Sequence, residues 1–241
     1  MAIAKTNSIF ASGYSLASAL KSFAVSANSE ELDATYLSSG FRVYESGFQS
    51  AEVTAEGFFD SDGTNLNKIH NILSAAYQAR TFQVLTAFLQ DYAFGGDCVM
   101  LDACVMNYAI PVEVASVIMS NAKWRSNDGL WMGKGFISQS SSATTITTAA
   151  VDGGAASTAG ALLHAHLDNN AATSVAVKIQ HSVDGSSSWA DLVNVTTMTG
   201  ATYDSGSAGV APGTTIRRYT RAVAVVTGGA VDLLTVAFAR K

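Results

Sequence analysis

The stretch SGFQSAEVTAEGFFDSDG, residues 46 to 63, has the alternation of a β-strand with one buried face and one polar face. Its apolar positions are Ala51, Val53, Ala55 and Phe59, and its polar positions are Ser50, Glu52, Thr54 and Glu56. The polar face carries two carboxylates and two hydroxyls, and the strand itself places no basic residue beside them. Such a face fits an active site, a solvated surface, or the lining of a passage whose contents must not adhere.

Further strands are expected through the first half of the chain. Turns rich in glycine, serine, asparagine and aspartate separate stretches of β-branched and aromatic residues, which is typical of a mainly β protein. The predicted strands lie near residues 8–25, 48–59, 81–89, 98–119 with an interruption at Pro111, and 129–137.

One helix is predicted over residues 64–80, where apolar residues recur at helical spacing. Thr64 or Asn65 would be its N-cap. Its apolar stripe consists of Leu66, Ile69, Leu73, Ala76 and Tyr77. Because a single amphipathic helix cannot bury its stripe alone, we expect this helix to pack on a sheet.

The second half of the chain predicts a separate small domain. Residues 139–160, QSSSATTITTAAVDGGAASTAG, are small and almost uncharged, which indicates a linker or an extended arm. Strand patterns then return at 161–168, 174–182, 189–197, 216–227 and 231–239. With no helix between them, they favour an antiparallel β-sandwich. The 241 residues are thus expected to form a domain over 1–138 and another over 161–241.

Composition and charge argue for a soluble protein that assembles with copies of itself. Hydrophobic residues make up 48% of the chain and charged residues 14%, against about 25% charged in ordinary soluble domains. Subunit interfaces would remove surface that otherwise needs charge. No apolar run is long enough to span a membrane, and the polar residues near the N-terminus argue against a signal peptide. We therefore expect synthesis in the cytoplasm, without membrane insertion.

The distribution of charge disfavours tight binding to nucleic acid. The formal net charge is −5, and the sequence holds thirteen acids and eight bases before residue 139 but six of each afterwards. The one local basic cluster, Arg217, Arg218 and Arg221, fits the solvated start of a strand. Cys98 and Cys104 would lie roughly 20 Å apart on one strand, beyond disulfide reach, and are expected to be reduced.

The segment HAHLD, residues 164–168, is the sharpest candidate for chemistry. On a strand, His164, His166 and Asp168 share one face and could bind zinc. The segment resembles the start of the His-x-His-x-Asp-His motif of metallo-β-lactamase-type proteins, but Asn169 stands where the last histidine belongs. A solvated strand face is the favoured interpretation, and no metal or other cofactor is expected.

Other catalytic or binding interpretations are weaker. Adjacent strand residues point to opposite faces, so His181 cannot readily activate Ser182, with Asp184 completing an imagined triad. Glu52 and Glu56 lack the enclosing pocket that a catalytic pair needs. The three tryptophans, Trp124, Trp131 and Trp189, fit core packing better than sugar stacking. We expect no enzyme, and a carbohydrate- or cell-surface-binding β-sandwich module remains the alternative function.

The order of these elements resembles the major tail tube proteins of long-tailed, non-contractile bacteriophages. The resemblance lies in LDATYLSSGFRVYESGFQSAEVTAEGFFD at 32–60 and YAIPVEVASVIMSNAKWRSNDGLWMGKG at 108–135. Three later segments, VKIQHSVDGSSSWADL, RRYTRAVAV and LTVAFARK, are similar to the C-terminal portions of such proteins. The resemblance covers nearly the whole chain, and it consists of patterns of hydrophobic and turn residues.

This resemblance implies a fold and an assembly. The fold is an antiparallel β-sandwich or barrel with one flanking helix, followed by the smaller C-terminal sandwich. Six copies would close a ring, or three if the second half duplicates the tube fold. Stacked rings would form the conduit for DNA ejection in a virion tail, assembled in the host cytoplasm. The implied partners are further copies, tape measure, tail terminator and tip proteins, and duplex DNA in passage.

The resemblance also assigns roles to residues. Glu52, Thr54 and Glu56 would line the lumen, where a wall of carboxylates and hydroxyls would weakly repel DNA. The segment 28–47 would reach the next ring through Glu30, Glu31, Asp33, Tyr36, Phe41, Arg42 and Tyr44. Leu66, Ile69, Leu73 and Tyr77 would pack the helix on the sheet. A barrel of about 24 strands, four from each of six copies, has a lumen of roughly 40 Å, wider than duplex DNA at about 20 Å.

Overall fold

The fold is mainly β, with antiparallel sheets and one helix among the described residues, as the sequence predicts. A computed structural model describes residues 8–17, 20–35, 40–60, 69–89, 94–113, 116–126, 129–142, 144–199 and 203–241. The chain divides into two compact units. The sandwich unit consists of Met1–Ser18, Val84–Met100 and Trp131–Lys241, and the hairpin unit consists of Ala19–Gln83 and Leu101–Leu130. This division differs from the expected boundary at 139–160, because each unit combines segments that are distant in sequence.

In the described part of the first half, the structure has eight strands and the helix. They are β1 (Ile9–Ala11), β2 (Tyr14–Ser15), β3 (Leu20–Asp33), β4 (Tyr44–Phe58), α1 (Ile69–Ala79), β5 (Gln83–Phe88), β6 (Asp97–Ala109), β7 (Met119–Ser126) and β8 (Trp131–Ser142). The single strand predicted at 8–25 is wrong, because Ser12 and Gly13 adopt positive φ and turn the chain between β1 and β2. The strand predicted at 98–119 with an interruption at Pro111 ends at Ala109, and β7 is a separate strand that was not predicted.

Eight more strands lie among the described residues of the second half. They are β9 (Thr145–Thr147), β10 (Val151–Asp152), β11 (Ala161–Asn170), β12 (Ser174–Ser182), β13 (Ala190–Asn194), β14 (Asp204–Val210), β15 (Tyr219–Thr227) and β16 (Ala230–Arg240). Five of them lie where strands were predicted. The sequence of β14, DSGSAGV, is small and polar and gave no strand signal, although it pairs with β11 along seven residues.

The hairpin unit is built on an antiparallel sheet in the order β3-β4-β7-β6. One face of this sheet is buried: Val53 on β4 and Trp124 on β7 are 0% exposed and are register partners. The Trp124 Nε1–H donates to Gln83 Oε1 at 2.9 Å, so its polar atom is satisfied inside the core. The alternation predicted for β4 is confirmed, since Ala51, Val53 and Ala55 are buried while the residues between them are not.

The helix α1 is tied to the buried face of this sheet. The His70 Nδ1 atom and the Tyr108 hydroxyl lie 2.9 Å apart. Tyr108 on β6 pairs with Ala122 on β7, and since Ala122 is buried, both residues point to the buried face of the sheet. The buried helix residues are Ile69, Ile72, Leu73 and Ala76. Tyr77, which was expected in the packed stripe, is 46% exposed. The predicted N-cap residues Thr64 and Asn65, and Leu66, lie outside the described residues.

The sandwich unit contains two sheets that enclose one apolar core. One sheet has the order β14-β11-β16-β8, and the other has the order β10-β15-β12-β13 with β9 also paired to β15. Side chains of both sheets form the core, including Leu163 and Leu167 of β11, Ile179 of β12 and Val236 of β16. The antiparallel sandwich predicted for this part of the chain agrees with this arrangement.

The segment 139–160 is largely part of the sandwich. Its first residues continue β8, and Ile146 and Val151 occupy strands that pair with β15. The Arg240 guanidinium fastens the end of this segment, since it donates to the carbonyls of Gly153, Ala155, Arg217 and Arg218. The linker interpretation failed because small β-branched residues pair well at a sheet edge even where composition resembles a flexible linker.

Replacing Gln83 by Leu should destabilise the hairpin unit. The change leaves the buried Trp124 N–H without its acceptor, which costs about 1–3 kcal/mol. We expect a lower urea midpoint for loss of the far-ultraviolet circular dichroism signal. Gln78→Leu, the same substitution at an exposed helix position, is the control and should change the midpoint by far less. Equal shifts in the two variants would contradict a structural role for the Trp124–Gln83 bond.

Candidate functional site

The polar face of the hairpin unit is the candidate site, and strand register assembles it. Directly paired residues of an antiparallel sheet point to the same side. Glu52, Thr54 and Glu56 therefore lie beside β3 residues Ser26, Ala24 and Ser22 and beside β7 residues Arg125, Lys123 and Asn121. On β6, Asn107 pairs with Lys123. We call these residues of β3, β4, β6 and β7 the polar face.

Ion pairs across this face balance its charge. Lys123 Nζ lies 2.7 Å from Glu52 Oε1, and Lys21 Nζ lies 3.6 Å from Glu56 Oε1. The face is therefore not the uniformly anionic wall that β4 alone predicts, because β7 brings Lys123 and Arg125 onto it. These cations were missed because β7 was not predicted. The signal was the alternation of SNAKWRS, in which Ala122 and Trp124 are buried between polar residues.

The centre of the polar face forms an open depression of about 500 Å³. Its lining includes Thr54, Glu56, Asn107, Asn121 and Lys123. Both glutamates have a lysine neighbour, and the Ser22 hydroxyl donates to Glu56 Oε2 at 3.5 Å. The arrangement offers hydrogen bonds and paired charges on an open surface.

The long β3–β4 hairpin carries exposed apolar side chains towards its tip. Phe41 is 87% exposed, Tyr44 is 54% exposed and Leu32 is 45% exposed. The acidic residues Glu30, Glu31 and Asp33 of this hairpin are exposed, as is Arg42. Tyr36 lies outside the described residues. The expected ring-stacking segment is thus a surface-exposed hairpin with both apolar and acidic side chains.

The outer edge of this hairpin is also open in the single chain. Among the described residues, β3 pairs only with β4, over the register from Leu20 to Asp33. A strand paired on one side presents a row of backbone N–H and C=O groups on the other. With 14 residues, β3 is long for an edge strand, since such strands are usually kept short.

The histidines of HAHLD are buried. His164 and His166 are both 0% exposed, and both contact the hydroxyl of the buried Thr86 on β5. The solvated-face interpretation is therefore wrong: the opposite face of β11 packs in the sandwich core, and the histidine face is covered as well. No group of three or more histidine, cysteine or acidic side chains within the described part of the chain could hold a metal ion.

The imagined triad does not form a nucleophilic site. Ser182 is 0% exposed, and its hydroxyl lies 2.8 Å from Asp184 Oδ1 and 2.6 Å from the Ser187 carbonyl. The His181 ring accepts a hydrogen bond from the Arg217 backbone N–H. Hydrogen bonds from Ser187, and then from Ser182 and Ser186, lower the pKa of Asp184. These residues build a tight turn that leads towards β13.

The other residues that the sequence analysis singled out are two tryptophans and the two cysteines. Cationic side chains cover one ring face of both partly exposed tryptophans, with Lys241 4.3 Å from the Trp131 ring and Arg221 4.2 Å from the Trp189 ring. Both cysteines are free thiols, and burial raises the pKa of Cys98 to about 12. In the part of the chain that the structure describes, no helix has the length and apolar character to cross a membrane.

Structural similarity to phage tail proteins accompanies this geometry. No family model and no curated protein matches the chain. A chain of the native gene transfer agent virion is 17% identical with a TM-score of 0.39, and the aligned region covers 47% of this chain and 84% of the virion chain. The SPP1 tail tube protein is 10% identical with a TM-score of 0.43, and covers 54% and 78%. The SPP1 Dit protein is 10% identical with a TM-score of 0.40, and covers 98% and 99%. TM-scores below 0.5 do not establish a shared family.

Replacing Glu52 by Gln should increase the affinity of the protein for duplex DNA. The change releases Lys123 from its ion pair, so that the ammonium can contact phosphate. One added phosphate contact steepens the dependence of log affinity on log salt by about 0.9. Fluorescence anisotropy of a labelled duplex across a salt series measures both quantities.

Glu45→Gln is the matched control. Glu45 is an exposed residue of the same strand, and its replacement changes the net charge equally without opening the Lys123 pair. Equal gains in affinity for the two variants would show that net charge alone governs binding, and would contradict a specific role for Glu52.

Proposed function

We propose that this chain is a structural protein of a phage tail, and that its copies form rings which stack into the tube for DNA ejection. The proposal draws on the sequence resemblance of residues 32–60 and 108–135 to tail tube proteins. It also draws on three features of the hairpin unit: an open strand edge, an exposed hairpin and a charge-balanced polar face. No catalytic role is included.

The open edge of β3 is the observation that carries the proposal. The strand β3 has 14 residues, and the N–H and C=O groups along its open edge can pair with a strand of an identical copy. Such pairing uses backbone groups and needs no particular side chain. A head-to-tail contact of this kind closes into a ring when the rotation from one copy to the next is a whole-number fraction of 360°. The four strands β3, β4, β7 and β6 match the four strands per copy that a barrel of about 24 strands requires from six copies.

The polar face is suited to line the tube. A lining with many available cations would hold duplex DNA by releasing counterions at each phosphate. In this face Lys123 is held by Glu52 and Lys21 is close to Glu56, so these two lysines are offset within the wall, whereas Arg125 beside Glu52 is exposed. DNA then meets hydroxyls, amides and paired charges, which neither hold it nor repel it strongly.

The tip of the β3–β4 hairpin is suited to join one ring to the next. Exposed Phe41, Tyr44 and Leu32 would lose contact with water when they meet an adjacent ring. Glu30, Glu31, Asp33 and Arg42 would then surround the apolar contact with charge, as at the rim of a protein interface. Tape measure, tail terminator and tip proteins would complete the tail.

Negative-stain microscopy of the concentrated protein tests the assembly directly. We expect rings or tubes about 100 Å wide, from a lumen of roughly 40 Å and a two-layer wall. A protein that stays monomeric by analytical ultracentrifugation at high concentration would overturn the proposal. Phe41→Ser should shorten or abolish tubes while retaining rings, because it removes the most exposed apolar side chain of the hairpin. Phe82→Ser, at a residue 61% exposed outside the hairpin, is the control and should leave tubes intact.

Replacing both Glu52 and Glu56 by Lys tests the lining role in particles. The double change converts two paired sites into a cationic surface, so ejected DNA should move more slowly through an otherwise intact tail. The measurement is the rate of DNA release from purified particles whose tails have normal length by microscopy. Unchanged release from such particles would place these residues elsewhere than the lumen.

A further inference from the structure

A buried chain of hydrogen bonds connects the N-terminal segment to the centre of the sandwich unit. His164 Nδ1 and His166 Nε2 lie 3.0 Å and 2.9 Å from the same atom, Thr86 Oγ1. The backbone N–H of Gly13 donates to His166 Nδ1 at 3.4 Å. Both histidines and Thr86 are 0% exposed.

Chemistry fixes the direction of the His166 contacts. Because Gly13 donates to His166 Nδ1, that nitrogen carries no proton, and the neutral ring must hold its proton on Nε2. The His166 Nε2–H therefore donates to Thr86 Oγ1. The Thr86 hydroxyl has one proton and two lone pairs, so it can either donate to His164 Nδ1 or accept from it. The Gly13 and Thr86 contacts of His166 form together only when the His166 ring is neutral and in this one tautomer.

Further contacts hold the same segment, residues 9–16, which we call the clasp. Phe10 lies against His166 with ring centroids 5.6 Å apart, and Tyr14 stacks on Tyr203 at 4.3 Å. At Gly13, a Cβ atom would come within 2.5 Å of the Asp204 carbonyl, so the backbone packs closely against β14. The apolar residues that the clasp buries are Ile9, Phe10, Ala11 and Leu16, each at most 1% exposed.

We propose that the clasp is an acid-sensitive device, in which proton uptake by His166 detaches residues 9–16 from the sandwich unit before the unit itself unfolds. A proton on Nδ1 turns that nitrogen from an acceptor into a donor that points at the Gly13 N–H. The same proton places a positive charge in a buried site beside His164 and Phe10. Detachment exposes the apolar side chains of the clasp to water.

The ionisable neighbours set the pH range. Burial, and then the charge of His164, lower the pKa of His166 well below 6.5. The detached histidine has the higher pKa, so it takes up the proton first. The contribution of His166 to clasp stability is therefore complete above about pH 6.5 and is lost as pH falls below it.

Other ionisable groups also face the clasp. Burial raises the pKa of Asp168, which accepts a hydrogen bond from the Ser15 backbone, and Asp232 on β16 adds to the shift. The attached Asp168 therefore takes up its proton at a higher pH than the detached one, so it opposes detachment as pH falls through its raised pKa and acts against the effect of His166 there. The phenols of Tyr14 and Tyr203 have raised pKa values and stay neutral in acid. Asp204 on β14 meets the clasp through its backbone at Gly13.

Hydrogen exchange followed by mass spectrometry tests the clasp in the full chain. Protection factors are measured between pH 7.5 and 5.0 and corrected for the intrinsic pH dependence of exchange. For one proton taken up on detachment, protection of residues 9–16 should fall about tenfold per pH unit below pH 6.5. Residues 174–182 and 219–227, in β12 and β15, serve as the internal reference and should keep their protection.

Two variants separate the role of His166 from general acid sensitivity. His166→Gln can still donate to Thr86 but cannot titrate, so protection of the clasp should be lower at pH 7.5 and nearly independent of pH down to 5.5. His181→Gln, whose ring accepts from the Arg217 N–H in the same unit, should retain the wild-type slope.

Either of two results would overturn the proposal. One is wild-type protection of residues 9–16 that is constant from pH 7.5 to 5.5, or that falls only in parallel with the reference strands. The other is an unchanged pH slope in His166→Gln. If that variant does not fold, the wild-type comparison between the clasp and the reference strands decides the question alone.

Discussion

The register between β4 and β7 controls both faces of the hairpin unit. It places Trp124 beside Val53 in the core and Lys123 beside Thr54 on the polar face. Because side chains alternate along a strand, a slip of one residue would move Trp124 into water and Lys123 into the core. The hydrogen bond from Trp124 to Gln83 opposes such a slip by giving the indole N–H its acceptor only in this register. The charge balance of the surface is thus a consequence of how the core is packed.

The same register determines which charges meet on the polar face. Glu52 and Lys123 stand diagonally across two strands, at the spacing from which long side chains reach each other. Exposed pairs of this kind add little to stability, typically less than about 1 kcal/mol. Their larger effect is on what the surface offers to an anionic polymer. A cation already engaged by a carboxylate has less to gain from a phosphate, so the face can be polar throughout without becoming adhesive.

In the sandwich unit, buried polar groups have a different role. The opposite face of β11 packs in the apolar core, while its histidine face receives Thr86 and the N-terminal segment. Buried polar groups are costly unless they are hydrogen-bonded. The contacts of His166 with the Gly13 N–H and the Thr86 hydroxyl form together in only one protonation state of that ring. Such a cluster specifies how the N-terminal segment docks more narrowly than apolar packing could, and it makes that docking dependent on protons.

The sequence alone determined the fold class, the alternation of β4, the existence of α1 and most strands after residue 160. These features depend on periodicity and turn residues, which are local. Only the tertiary structure decided which strands are neighbours, and this changed the conclusions about three segments. The polar face gained Lys123 and Arg125 from β7, the segment 139–160 became strands beside β15, and the histidines of HAHLD became buried. The physical reason is that a strand pattern shows which residues share a face, whereas the chemistry of that face depends on partners from distant parts of the chain.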